Sequence, residues 1–226
     1  MNNLIEIKNI IKKYGDTKKN TILNKINYSF KRGKIYSLVG PSGSGKSTLL
    51  NLISLIDRPS SGFIKFEGKK IDFNLNIKND QFRAKNIGII YQQDNLLTDF
   101  NALENVYLAN LSAGKNKDIA MENAEKILKT VGLSNRFEHY PTELSGGEKQ
   151  RVSIARAVMN DPEIILADEP TGSLDRKTAN EIFLLFSKLK SKNRAILYAT
   201  HNRELSNKAD YKLNILDGNI FKNERS

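Results

Sequence analysis

The segment Gly40-Pro41-Ser42-Gly43-Ser44-Gly45-Lys46-Ser47 fits the pattern G-x-x-x-x-G-K-[ST], with Thr48 next in line. It follows the apolar run Ile35 to Val39 and leads into Ser47-Thr48-Leu49-Leu50-Asn51-Leu52-Ile53, which reads as a helix. Strand, glycine-rich loop and helix in that order constrain the chain to a βα turn whose backbone N–H groups converge on an anion. Gly43 and Gly45 remove side chains that would block the approach of phosphate oxygens. Lys46 brings a mobile positive charge, the Ser47 hydroxyl is a ligand suited to Mg²⁺, and the helix N-terminus adds its dipole. A bare glycine-rich turn would carry the same glycines, but it has no need of the flanking strand and helix.

Three further apolar runs are bounded by polar residues: Ile87 to Tyr91, Ile164 to Ala167 and Ala195 to Ala199. None alternates cleanly, which suits parallel strands buried on both faces. Between them lie helical patterns. One places Ala120, Ala124, Ile127, Leu128 and Val131 on one face and closes at Gly132, and another runs through Ile182, Phe186 and Leu189. The expected fold class is α/β: a P-loop NTPase core with a parallel sheet, an N-terminal antiparallel β subdomain and an inserted α-helical subdomain at about 95–145. Leu4 to Ile10, Ile22 to Phe30, Phe63 to Phe66 and Leu213 to Leu216 are expected in the antiparallel part, with a turn at Asp217-Gly218-Asn219. The length of 226 residues suits one domain, 1–226.

The chain has no cysteine, which excludes disulfides, and its two histidines, His139 and His201, are too few for a histidine metal cluster. No apolar run is long enough to span a bilayer, and the opening MNNLIEIKNI reads as a strand, not a secretion signal. The net charge is +11. Its lysines are scattered and not grouped, so compositional bias explains the charge better than a nucleic-acid patch, and no nucleic acid is expected as partner.

Ile164-Ile165-Leu166-Ala167-Asp168-Glu169 is a buried strand ending in two carboxylates. In an open parallel sheet, ligands sit at the strands' carboxyl ends. Asp168 is placed to hold Mg²⁺ through a water, and Glu169 to orient or deprotonate an attacking water. An apolar strand ending in Asp-Glu is by itself usually a solvated strand end; behind a phosphate loop it gains meaning. Leu144-Ser145-Gly146-Gly147-Glu148-Lys149-Gln150-Arg151 offers a second glycine-lightened anion nest at a helix start, or alternatively a plain Ser-Gly helix cap.

This last segment resembles the signature of ABC ATPases, and nearly the whole chain then resembles an ABC transporter ATP-binding subunit. The resemblance implies ATP and Mg²⁺ as cofactors and further roles by position. Tyr14 resembles the aromatic residue that stacks on adenine. Gln92 matches the Q-loop glutamine coupling the metal site to a membrane partner, although Gln93 beside it leaves a one-residue ambiguity. Ser173, Leu174 and Asp175 match the D-loop, and His201 matches the histidine that contacts the γ-phosphate. Asn202 stands where many relatives carry Asp. The resemblance also implies a second copy facing this one, each ATP lying between one copy's phosphate loop and the other's Ser145, Gly146 and Gly147.

Ile90-Tyr91-Gln92-Gln93 and the run Asn95 to Val106 resemble the lipoprotein-releasing and macrolide-exporter branch, most nearly its lipoprotein-releasing ATPases. Ser54, Ile56 and Asn101 depart from that pattern. With a short stretch after Asp217, the regulatory domain of sugar importers is not expected. The resemblance places an integral-membrane permease near Leu96–Val106 and the chain peripherally at the cytoplasmic face of the bacterial inner membrane. A macrolide or peptide exporter ATPase and a cell-division ATPase of the same branch are the alternatives. A DNA-repair ATPase is disfavoured, because only about a hundred residues without heptads separate Lys46 from Ser145.

Overall fold

The structure, a computed structural model, describes residues 3–15 and 20–223. Strand β1 (Asn3–Tyr14) pairs antiparallel with β2 (Asn20–Lys31). Then come β3 (Ile35–Val39), α1 (Lys46–Ile53), β4 (Ser61–Phe66), β5 (Lys69–Lys70), α2 (Asn76–Asn86) and β6 (Ile87–Ile90). Helices α3 (Ala102–Ser112), α4 (Lys117–Thr130) and α5 (Gly146–Val158) follow, and next β7 (Ile164–Asp168), α6 (Arg176–Leu189), β8 (Ala195–Ala199), α7 (Arg203–Ser206), β9 (Tyr211–Leu216) and β10 (Asn219–Asn223).

The larger sheet has the order β10-β9-β3-β8-β7-β6. Strands β9, β3, β8, β7 and β6 are mutually parallel, and β10 closes the edge antiparallel to β9. The unbroken apolar runs have a physical reason: this sheet carries a core on each face. Ile164 and Leu166 enter one core with Leu38, Leu49 and Leu197, whereas Ile165 and Ala167 enter the other with Val152, Ile196 and Phe186. Successive residues of one strand thus serve opposite layers. The smaller antiparallel sheet, β2-β1-β4-β5, shares the first core with α1. Helices α3 to α6 supply the second.

Helix α4 ends as its pattern requires. Gly132 has φ 81°, its N–H donates to Lys129 O at 3.0 Å, and the Leu133 N–H donates to Leu128 O at 2.9 Å, which is the Schellman arrangement. Two elements differ from expectation. Leu213 to Leu216 does not join the antiparallel sheet. It lies in β9, parallel to β3, where the Tyr211 ring stacks on Tyr36 at 5.1 Å and Leu213 and Ile215 are buried. The turn at Asp217-Gly218 does form, joining β9 to β10. Helix α2 has no counterpart in the sequence reading; none of its residues is buried, so it carries no apolar period to detect.

Candidate functional site

The strand order sets the site. β8 lies between β3 and β7, so the loop after β3 and the acidic end of β7 open on the same edge of the sheet. The loop reverses sharply into α1 at Gly45, whose φ is 105°. A Cβ there would also stand 2.7 Å from Leu23 Cδ2, so glycine is required twice over. Lys46 is 9% exposed, and its Nζ bridges the Gly40 and Pro41 carbonyls at 3.0 Å each. The ammonium is thereby held against the loop's own carbonyls. Helix α1 has no acidic residue in its first turn, which leaves its positive end available to an anion.

Asp168 ends β7 beside α1. Burial raises its pKa, with Glu169 adding to the rise; the Ser47 hydroxyl and the Lys46 charge oppose it. Its Oδ1 is buried with no hydrogen-bond partner. A buried orphan carboxylate oxygen next to a hydroxyl fits a hard divalent cation that takes few protein ligands. Among the described residues no group of three or more His, Cys, Asp or Glu side chains could cage a metal alone, so phosphate and water oxygens would complete the shell.

Glu169 adopts φ 46°, a left-handed conformation costly for a residue with a Cβ. Its N–H donates to Ala199 O at 3.1 Å, which fixes that geometry against β8. Its Oε2 lies 2.9 Å from His201 Nδ1 and accepts the His201 backbone N–H at 3.3 Å. A carboxylate so held is aimed, not free to rotate. Asn202 caps α7, accepting from the Leu205 N–H at 3.1 Å, a bond Asn makes as well as Asp.

Tyr14, Gly40, Pro41, Ser42, Gly43, Gly45, Lys46, Ser47, Thr48, Gln92, Asp168, Glu169 and His201 line one cavity of about 550 Å³. Ser44 lies under the loop, buried. Gln92 is in this lining and Gln93 is not, although both border a neighbouring cleft. Ser145, Gly146, Gly147 and Asp175 are not brought into it. Ser145 caps α5, its hydroxyl accepting from the Glu148 N–H at 3.3 Å and donating to Glu148 Oε2 at 2.8 Å. Both Ser145 and Gly146 are exposed. Gly147 has a packing role: a Cβ there would stand 2.7 Å from Thr178 Cγ2, so only glycine lets α5 approach α6 so closely. Asp175 caps α6, accepting from the Lys177 and Thr178 N–H groups at 2.9 and 3.1 Å.

Sequence reasoning missed Arg156. Its guanidinium donates to the carbonyls of Asp94 at 2.9 Å and Asn95 at 2.8 Å, tying the segment after Gln92 to α5. Its signal was an arginine beside Ala155 and Val158 on an otherwise buried helix face.

A phosphate loop after a central parallel strand, with a metal-ready aspartate and an aimed glutamate across one intervening strand, defines a P-loop nucleoside-triphosphate hydrolase. The chain belongs to the ABC transporter family, whose model matches residues 23–172, and as such it is an ATP-binding, ATP-hydrolysing cassette. It is 45% identical over 226 residues to the lipoprotein-releasing system ATP-binding protein LolD of Wigglesworthia glossinidia brevipalpis, covering 98% of this chain and 99% of that protein. It is 47% identical over 218 residues to the protein of the same description from Rickettsia conorii, covering 94% and 96%. Among solved structures it is similar to a dimeric, post-hydrolysis state of the ATP-binding cassette MJ0796 bound to ADP and Pi, with a TM-score of 0.89, 34% identity, and coverage of 98% of this chain and 99% of that one.

Proposed function

We propose that this chain is the ATP-hydrolysing motor of a bacterial ABC system that releases lipoproteins from the inner membrane, working as a pair of copies at the membrane's cytoplasmic face. The full-length likeness to lipoprotein-releasing ATPases supports the cargo class. The observation that carries the mechanism is the split site: phosphate loop, Asp168, Glu169, Gln92 and His201 share one cavity, while Ser145 and Gly147 head an exposed helix N-terminus outside it. Its exposed Ser145 and Gly146 and the positive end of its dipole would meet a phosphate in addition to the helix's own Glu148 carboxylate, which already accepts the Ser145 N–H and hydroxyl. A second copy facing this one would supply it, as the dimeric state of MJ0796 supports for that cassette.

Tyr14 then stacks on adenine, and Gly40 to Thr48 cradle the phosphates. Lys46 leaves the Gly40 and Pro41 carbonyls for the β- and γ-phosphates. Ser47 and Asp168, with Gln92 nearby, would hold Mg²⁺, which would supply positive charge beside the phosphates. Glu169 accepts the proton of the attacking water, its carboxylate aimed by His201, and His201 also faces the γ-phosphate. Ser145, Gly146, Gly147 and Asp175 act across the interface between copies. The chain serves as one nucleotide-binding domain, with 95–145 as its helical part. Among the described residues no helix is long and apolar enough to cross a membrane. Attachment would therefore run through a permease near Leu96–Val106, where Leu97 and Phe100 are exposed.

Glu169→Gln tests the core of this reading. Turnover should fall at least about a hundredfold while ATP binding persists and ATP-bound dimers accumulate on gel filtration. An unchanged rate would remove Glu169 from the mechanism. Co-purification from membranes with a four-span permease bearing a large periplasmic domain supports the lipoprotein or macrolide reading, and recovery with division proteins would overturn both.

A further inference from the structure

Lys12 sits near the end of β1 and is 7% exposed, a burial that a lysine tolerates only when its charge is matched. Its Nζ donates to Asp57 Oδ1 at 2.6 Å and to the Arg58 carbonyl at 2.9 Å, and it lies 4.6 Å from the centroid of the Tyr14 ring. The other oxygen of Asp57 accepts the Tyr14 hydroxyl at 2.7 Å. Two residues apart on one strand, Lys12 and Tyr14 share a face, and both reach the same carboxylate. Asp57 is itself anchored, because its N–H and that of Ile56 both donate to Asn51 O on α1 at 3.1 Å. Tyr14 lines the nucleotide cavity, whereas Lys12 lines a separate cleft with Arg58 and Lys70. The ammonium thus backs the ring from the cleft side as a cation–π contact and leaves the cavity side for a base.

We propose that Lys12 and Asp57 are positioning residues that fix the Tyr14 ring as the base platform and tie it, through α1, to the phosphate loop at the other end of that helix. Base and triphosphate subsites then keep a set spacing, because one helix carries the cradle at its start and the anchor of the platform at its end. The inference rests on the reading of Tyr14 as the base-stacking residue. It explains why a lysine is buried next to an exposed tyrosine, which neither packing nor surface solubility requires.

The test compares binding of ATP with binding of inorganic tripolyphosphate, which has no base, both measured by competition against a fluorescent nucleotide, alongside steady-state KM and kcat. Tyr14→Ala should weaken ATP about tenfold and leave tripolyphosphate unchanged. Asp57→Asn and Lys12→Met should weaken ATP about three- to fivefold, raise KM with kcat moving less than about twofold, and add nothing on top of Tyr14→Ala. Tyr14→Phe removes only the hydroxyl bond and should weaken ATP as Asp57→Asn does, so it serves if the charge variants fold poorly. If Tyr14→Ala weakens ATP but Tyr14→Phe and Asp57→Asn do not, the positioning role is overturned and the stacking role stands. If Tyr14→Ala has no effect, the stacking role falls, and the positioning role falls with it. An equal loss of ATP and tripolyphosphate in Asp57→Asn would mean damage to α1, and that too overturns the proposal.

Discussion

Glu148 accepts the Ser145 backbone N–H at 2.9 Å and the Ser145 hydroxyl at 2.8 Å, and pairs with Arg136 Nε at 2.7 Å. These contacts favour its charged form: the Ser145 N–H first, then Arg136, lowers its pKa from 4.5 to about 2. A carboxylate whose folded pKa is depressed stabilises the fold fully above its unfolded value and loses that contribution as pH falls through the folded one. Glu148→Gln should therefore lower the chemical-denaturation midpoint at neutral pH and flatten its decline between pH 4.5 and about 2. Parallel pH curves for the two proteins would contradict this account. Single residues of this kind divide in how readable they were. Lys46, Ser47, Asp168 and Glu169 could be placed because the elements flanking them are written locally in the chain. The bond from Tyr14 to Asp57 spans 43 residues of sequence, and no local pattern announces it.

At the scale of elements, the segment after Gln92 shows how a loop without regular structure is made firm. Asn105, at 1% exposure on α3, donates through Nδ2 to the carbonyls of Leu97, Phe100 and Asn101 at 2.8 to 3.0 Å and accepts the Leu97 N–H at 2.8 Å. Asn101 and Glu104 complete the element with a reciprocal cap at 2.9 Å in each direction. Asn therefore does at position 101 what a threonine would do. Asn105→Ala leaves several backbone groups without partners and should cost about 2 kcal/mol of stability, with faster hydrogen exchange at the Leu97 amide. Loss of stability with unchanged exchange there would mean that the loop is held by something else. The sequence showed an asparagine in this run only as part of a family likeness, because its bonds go to backbone groups and not to a recognisable partner side chain. Helix α4 was readable because Ala120, Ala124 and Leu128 bury one face, and α2 was not because it buries none. In β9, the sequence Leu213-Asn214-Ile215 alternates like a half-buried antiparallel strand. Its parallel place beside β3 is a pairing between distant parts of the chain, with the Tyr36 and Tyr211 rings stacked across it, and no local pattern announces it.

At the scale of the molecule, the residues proposed to contact ATP fall in two regions of the chain, the cavity at the sheet's edge and the N-terminus of α5. The cavity at the ends of β3 and β7 holds the phosphate loop and the acidic pair, while Ser145 is outside its lining and Gly146 borders a neighbouring cleft with Gln92 and Asp168. If each copy completes the site of another, a bulky cation at position 145 should act only on the pair. Ser145→Arg, placed in a Glu169→Gln background so that ATP persists, should remain monomeric with ATP by light scattering, with monomer ATP affinity changed by less than about threefold. Losing the Ser145 cap costs about 1 kcal/mol by itself, so Ser145→Ala is the control: it carries the capping loss without the bulk and should still dimerise more readily than the arginine variant. A collapse of monomer affinity in Ser145→Arg would place Ser145 in its own chain's site and undo the division of labour between copies.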